Sequence, residues 1–384
     1  MKKMIALLLS LSMMFALVSC GTGGASSSSE GAGGSSSAQV SGGEDLTWGL
    51  TPFETKQTVR LGFFTGSPLS YGFLFADNLG VFDALNIEVE YVPFTGGPAM
   101  MEANAEWDMA SCGAGGLALG LYGYDFPLID ITDYEENLAL FVRPDSAIAK
   151  DPTNPEVWKG TTWVYPAGTT AQAVLASALQ QLGLTLNDIT SVNMDNANAL
   201  TGFNGGTGDG LGCWNAIAFS AEDAGYVRVG DAGTLGFTAP CGTFVQPDFL
   251  ENNLDLVTTM CIVFHKAAEW CYESEENMAQ AAQWYLDNCD EEGFLCNEDI
   301  AQRTMEWWRS PTVDEWIDLY TTSSPDDKGL YTSRDLLQAE KDILVSVDFF
   351  ISEGKYTNED RARYLDDARI DPTVALHAQE MLGE

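Results

Sequence analysis

Basic side chains are scarce: 18 Lys and Arg stand against 56 Asp and Glu in 384 residues, giving a formal charge of −38. Nucleic-acid binding draws its affinity from Lys and Arg that release counterions, so this balance excludes a nucleic-acid partner. Histidine chemistry has equally little to work with. His265 lies in the apolar run CIVFHKAAEW and His377 close to the last residue, neither beside a metal-spaced Cys, His or Asp, and both read as core or surface residues. The motifs G-x-S-x-G and C-x-x-C are missing, which removes the usual signs of an esterase-type nucleophile or a redox dithiol. Asp287, Asp290, Glu291 and Glu292 lack the alternating oxygen ligands of a calcium loop and read as a solvated turn. No enzyme, cofactor or metal site is expected.

Long apolar runs are also missing, except at the start. Lys2 and Lys3 precede Met4 to Val18, a run broken only by Ser10 and Ser12 and too short to span a bilayer stably. It reads as a signal peptide, residues 1–19. Its end, Leu17-Val18-Ser19-Cys20-Gly21, is similar to the bacterial lipobox, whose cysteine is lipidated and becomes the new N-terminus. Residues 20–56 then hold Cys20 and a tract of Gly, Ser and Ala that has nothing to bury. Such a tether places a domain about 25–30 Å from its anchor. Loss of Lys2 and Lys3 leaves 16 bases against 56 acids, or −40.

The apolar share is 45% and the charged share only 19%, so the rest of the chain can bury a large core, and its length favours two lobes. Val59 to Phe64 is strand-like, Pro68 to Leu79 helix-like, and Ile87 to Val92 alternates as a half-buried strand does, a βαβ start. Further strands are expected at Trp107–Ser111, Leu128–Ile131 and Ala139–Arg143. A second unit begins with a strand at Lys159–Tyr165 and a helix over Thr169–Leu182 ended by Gly183. Another strand follows at Ile189–Met194. The glycine run from Gly205 to Gly212 misses both phosphate-loop spacings and reads as a flexible loop. From Asp248 onward the pattern is amphipathic helix. Seven cysteines remain beyond Cys20, an odd number, and Cys289 with Cys296, flanking Asp290–Leu295, is the first candidate pair among open connectivities.

The ordered segments VRLGFFTGSPLSYGFLFADNLGVFDALNIEVEYVPFTGGPAMMEA, WDMASCGAGG, ALFVRPDSAIA, WKGTTWVYPAGTTAQAVLASALQQLGLTLNDI and VDFFISEGKYTNEDRARYLDDARID resemble those of ABC-transporter substrate-binding proteins. The subfamily is that of aliphatic-sulfonate, taurine, nitrate and thiamine-precursor receptors. The resemblance implies a type II periplasmic-binding fold, α/β in class. Lobe 1 would comprise residues 57–142 and 243–384, and lobe 2 residues 143–242, with a ligand clamped at the hinge. It also implies a monomeric receptor on the outer face of the cell membrane, handing a small molecule to an ABC permease and its ATPase. Enzymes that resemble this family, the eukaryotic pyrimidine synthases, carry a cysteine-rich motif and histidines that are missing here.

In open α/β sheets the ligand lies beyond the carboxyl ends of the strands, where helices begin. Four segments fit that position: Thr65-Gly66-Ser67 with Tyr71 on the helix that follows, Thr95-Gly96, Ser111-Cys112-Gly113, and Thr169-Thr170. Lobe 2 adds Asp195, Trp214 and Asn215, with Trp214 available to stack on a planar ligand or seal it from water. The segments contain no Lys or Arg. An anion would therefore rest on helix N-termini and hydroxyls, and a neutral or cationic heteroaromatic held by Tyr71, Trp214 and Asp195 is the competing ligand class.

Overall fold

The computed structural model describes residues 46–383 except 136, 237–238, 327–328, 332, 353 and 367. The signal peptide, Cys20 and most of the tether lie outside the described residues.

Two five-stranded sheets organise the chain. The first has the order β2-β1-β3-β10-β4, from β1 (Gln57–Phe64), β2 (Ile87–Phe94), β3 (Met109–Cys112), β4 (Leu128–Glu135) and β10 (Ala239–Val245). The second has the order β7-β6-β8-β5-β9, from β5 (Leu138–Val142), β6 (Thr162–Tyr165), β7 (Thr190–Asn193), β8 (Gly210–Trp214) and β9 (Val227–Asp231). In each sheet the parallel strands carry helical crossovers, and one antiparallel strand is inserted: β10 between β3 and β4, β5 between β8 and β9. That insertion records how the chain travels. It leaves the first sheet between β4 and β5 and returns between β9 and β10, so two short crossovers join the lobes.

One expected boundary moves. The strand at 139–142, assigned from sequence to lobe 1, hydrogen-bonds to β8 and β9 in the second sheet. Its residues are uniformly buried and apolar, so nothing in its pattern distinguishes one sheet from the other.

The glycine run is also different from expectation. Asn196–Asn204 is a helix and Gly210–Trp214 is the central strand of the second sheet, buried along its whole length. The reason is close approach. A Cβ at Gly210 would fall 2.5 Å from the Trp163 ring, and one at Gly212 would fall 3.2 Å from Tyr165 Cβ. Glycine here lets large aromatic side chains of β6 lie against the neighbouring backbone. Trp163 in turn stacks on Trp158 at 5.1 Å between centroids.

The C-terminal half is helical and packs mainly on the first sheet. Its longest member, Leu254–Glu273, buries thirteen residues and packs against Tyr71–Asn78 and Thr373–Leu382. His265 belongs to this core: Nε2 bonds Asp130 Oδ1 and Nδ1 bonds the Pro311 carbonyl, each at 2.8 Å, while the ring stacks on Trp316. His377 lies at the surface against Asp255. Among the described residues no helix is long and apolar enough to cross a membrane. The seven cysteines among the described residues are free thiols, Cys289 and Cys296 included, although the latter two lie within hydrogen-bonding reach of each other.

Candidate binding site

The carboxyl ends of β1, β2 and β3 in the first lobe face those of β6 and β8 in the second. Where they meet, the main chains touch directly: a Cβ at Gly115 would lie 2.4 Å from the Gly168 carbonyl oxygen. Beneath this contact is a space of ≈20 Å³, about what one water needs. Phe64, Gly96, Gly113 and Glu135 line it from lobe 1, and Thr169, Thr170 and Trp214 from lobe 2. A larger space of ≈200 Å³ is lined by Thr65, Phe94, Thr95, Asp195, Glu292 and Phe294, among others, again from both sides.

Glu135 is the central group of the inner space, at the end of β4 where the chain crosses to the second lobe. It is 5% exposed. Its Oε1 accepts from Asn215 Nδ2 at 3.2 Å and from the Ser67 hydroxyl at 3.4 Å, while Asn215 Nδ2 also donates to Ser67 Oγ at 2.9 Å. These three side chains join the lobes. Burial disfavours the charged carboxylate and pushes its pKa up to about 7, against the opposing effect of hydrogen bonds from the Cys241 thiol, Ser67 and Asn215. Asp133, two residues earlier on the same strand, is pushed up to about 8 by burial and then by the Glu135 charge. Glu135 was not among the residues read from sequence. Its segment, Asp133-Tyr134-Glu135, carries no motif, and only the crossover places its carboxyl in the cleft.

The residues that sequence put at the ligand divide into two groups. Gly96, Gly113, Thr169, Thr170 and Trp214 line the inner space, and Thr65, Thr95 and Asp195 the outer one. Asp195 also caps the helix Asn196–Asn204 through Asn198 N–H at 3.0 Å. Asn215, with φ +47°, makes the interlobe bonds just described and is held by a bond from its own N–H to the Asn137 carbonyl. Thr65 Oγ1 is buried without a hydrogen-bond partner.

Three of the expected residues, Tyr71, Ser111 and Cys112, line neither space. Tyr71 is wholly buried; its hydroxyl accepts from the Gly66 N–H at 3.1 Å and donates to Asn288 Oδ1 at 2.7 Å. Tyr285 donates to the Gly66 carbonyl at 3.0 Å, so both tyrosines brace the loop after β1 from behind. The helix begins at Tyr71, and its first turn aims that ring into the core. Ser111 Oγ pairs with Thr243 Oγ1 at 2.7 Å between β3 and β10. Cys112 is fully buried beneath Gly97 and Gly116, and burial pushes its thiol well above the ordinary value.

A cavity of ≈580 Å³ lies elsewhere, among Tyr134, Arg309, Glu315, Leu319 and Gln338. It is walled by the first lobe and the C-terminal helices alone. The smaller interlobe spaces, walled by both lobes, are the better candidate for the binding site.

Two segments of the C-terminal half reach across to the second lobe. Phe294 sits against Gly66 on one side and the apolar cluster of Ala216, Phe219 and Ile300 on the other. Arg303 donates to Glu222 at 2.7 Å and Asp223 at 3.0 Å, with its guanidinium 4.3 Å from the Phe219 ring centroid.

Two lobes, two crossovers and a cleft walled by both define a periplasmic-binding-protein fold. Residues 67–278, more than half of the chain, match the family described as NMT1/THI5 like, and the protein belongs to that family. Solved structures with the same fold include the periplasmic aliphatic sulphonate binding protein SsuA from Escherichia coli, at 17% identity and a TM-score of 0.61, covering 79% of this chain and 91% of that one. The alkanesulfonate-binding protein SsuA from Xanthomonas axonopodis pv. citri, bound to MOPS, gives 15% identity, TM-score 0.62 and coverage of 81% and 99%. The periplasmic nitrate-binding protein NrtA from Synechocystis PCC 6803 gives 11%, 0.59, and coverage of 85% and 89%. No curated protein matches the chain.

Proposed function

We propose that this protein is an extracytoplasmic solute receptor, anchored by a lipid on Cys20, that captures a small molecule between its lobes and presents it to an ABC permease and its ATPase. The observation that carries the reading is the Ser67–Asn215–Glu135 junction: polar groups of both lobes bond one another beside the space that Glu135 lines. Ligand binding there draws free energy from closure, because contacts to both lobes exist only when the lobes meet. The family and the sulfonate- and nitrate-binding proteins of the same fold support a receptor over an enzyme.

The test has two parts. Thermal unfolding of the purified chain against a broad metabolite panel, with small-angle scattering on every hit, should find a ligand that raises Tm and compacts the protein. Silence across a wide panel counts against a receptor. Separately, Cys20→Ser should move the protein from the membrane fraction to the soluble one; unchanged membrane association contradicts the lipid anchor.

A further inference from the structure

We infer that the interlobe cleft selects a compact organic cation, a molecule carrying an ammonium, amidinium or similar nitrogen, in preference to the anions bound by proteins of the same fold. This rests on the receptor reading and names its ligand class. Among the described residues, the charged side chains lining the two interlobe spaces are Glu135, Asp195 and Glu292, with no Lys or Arg lining either one. Lys355 places Nζ 3.9 Å from a Cβ built at Gly168 but lines neither space.

The walls complete the pattern. Phe64 and Trp214 border the inner space, Phe94 and Phe294 the outer, and an aromatic face attracts a cation through its ring quadrupole. Glu135 is aimed into this surround, with Oε2 3.3 Å from a Cβ built at Gly113. A buried carboxylate needs a charged partner or must stay protonated. An anionic ligand would meet that carboxylate with only the amino ends of the helices capped by Gly96, Gly113, Thr169 and Trp214 to offset it, and no basic side chain among the described lining residues. Thr65 Oγ1, buried and unpartnered on the wall of the outer space, supplies a further acceptor for an N–H donor. The outer space, at ≈200 Å³, falls below the roughly 300–1,000 Å³ of pockets for drug-sized ligands, which limits the guest to a small one. At long range, a chain of charge −38 draws cations toward it and repels anions.

Proton linkage separates the ligand classes. The groups facing Glu135 are Ser67, Asn215, the thiols of Cys241 and Cys112, and Asp133 on its own strand. Burial opposes ionisation of Glu135 against the hydrogen bonds from the Cys241 thiol, Ser67 and Asn215, so near neutral pH the site holds a share of a proton that an arriving cation displaces. An anion would instead retain that proton or take one up.

The experiment is calorimetry on the purified full-length chain at pH 7 in buffers of differing ionisation heat. Choline, agmatine and N-methylpyridinium serve as cationic probes, nitrate and methanesulfonate as anionic ones, and 4-amino-2-methylpyrimidine as a neutral one. At least one cation should bind with proton release, and Glu135→Gln should weaken it about tenfold or more, the scale of one lost charge contact. If Glu135→Gln misfolds, the paired change Asp195→Asn and Glu292→Gln at the outer space should weaken the same cation several-fold. Tight binding of nitrate, methanesulfonate or the neutral pyrimidine, with cations inert, overturns the inference and leaves the receptor intact. Binding of none of the six, with a hit elsewhere in the wider panel that is not cationic, overturns it too; an entirely silent panel removes the receptor reading with it.

Discussion

Asn215 of one lobe donates from Nδ2 to Oε1 of Glu135 in the other, at 3.2 Å, from a backbone held in the left-handed region. Asparagine is one of the few residues that tolerates that conformation, and here it does so while its side chain spans the cleft. Asn215→Ala should therefore lose both the strained turn and the bridge, about 1–2 kcal/mol for the backbone and about 1 for the hydrogen bonds. Asn215→Gly keeps the turn and loses only the bridge. Chemical unfolding of the two variants should rank Ala below Gly below wild type, and equal losses would mean that the backbone is not strained.

Glu135 should give the protein a pH profile with a definite sign. Its folded pKa, about 7, stands above the ordinary 4.5, so the folded state binds the proton more tightly than the unfolded chain does. Stability from this group is present below pH 4.5 and declines as pH rises toward 7, after which it levels. Asp133 acts in the same direction up to about 8. Glu135→Gln should flatten the decline between 4.5 and 7 and raise Tm at pH 8 relative to wild type. A decline of the same size in the variant would assign the profile to other groups.

Tyr71→Phe distinguishes bracing from binding. The lost hydroxyl serves the Gly66 N–H and Asn288, so stability should fall by about 1–2 kcal/mol in urea unfolding. Affinity for any identified ligand should stay within about threefold of wild type, a change worth under 1 kcal/mol. A tenfold loss of affinity at full stability would return Tyr71 to the ligand.

Arg303→Met removes the ion pairs to Glu222 and Asp223 and keeps apolar contact with Phe219. The pairs are partly exposed, so the expected stability loss is about 1 kcal/mol or less and shrinks at high salt. The sharper readout is shape. Without ligand, the variant should scatter with a larger radius of gyration than wild type, and an unchanged radius would show that Arg303 does not hold the lobes together.

Sequence carried the order of strands and helices well because each lobe begins with a short parallel unit whose apolar periodicity is local. It misread what depends on contacts between distant segments. The run from Gly205 to Gly212 has the composition of a loop, which residues 205–209 are, and the role of Gly210–Gly212 in the central strand is visible only once Trp163 and Tyr165 are laid against it. The strand β5 is apolar on both faces and could not announce its sheet. At the site, small residues after strand ends pointed to the cleft walls, since their positions follow from topology. The direction of each side chain did not follow: Tyr71, Ser111 and Cys112 turn into the core, while Glu135, in a segment without any motif, turns into the cleft.

The contact of Gly115 with Gly168 works as a mechanical stop. Two main chains meet there, and no side chain can rotate aside to bring the lobes nearer than this contact allows. If the proposed receptor closes on its ligand, that contact sets the depth of the chamber for every guest, and a single methyl group at residue 115 would reset it.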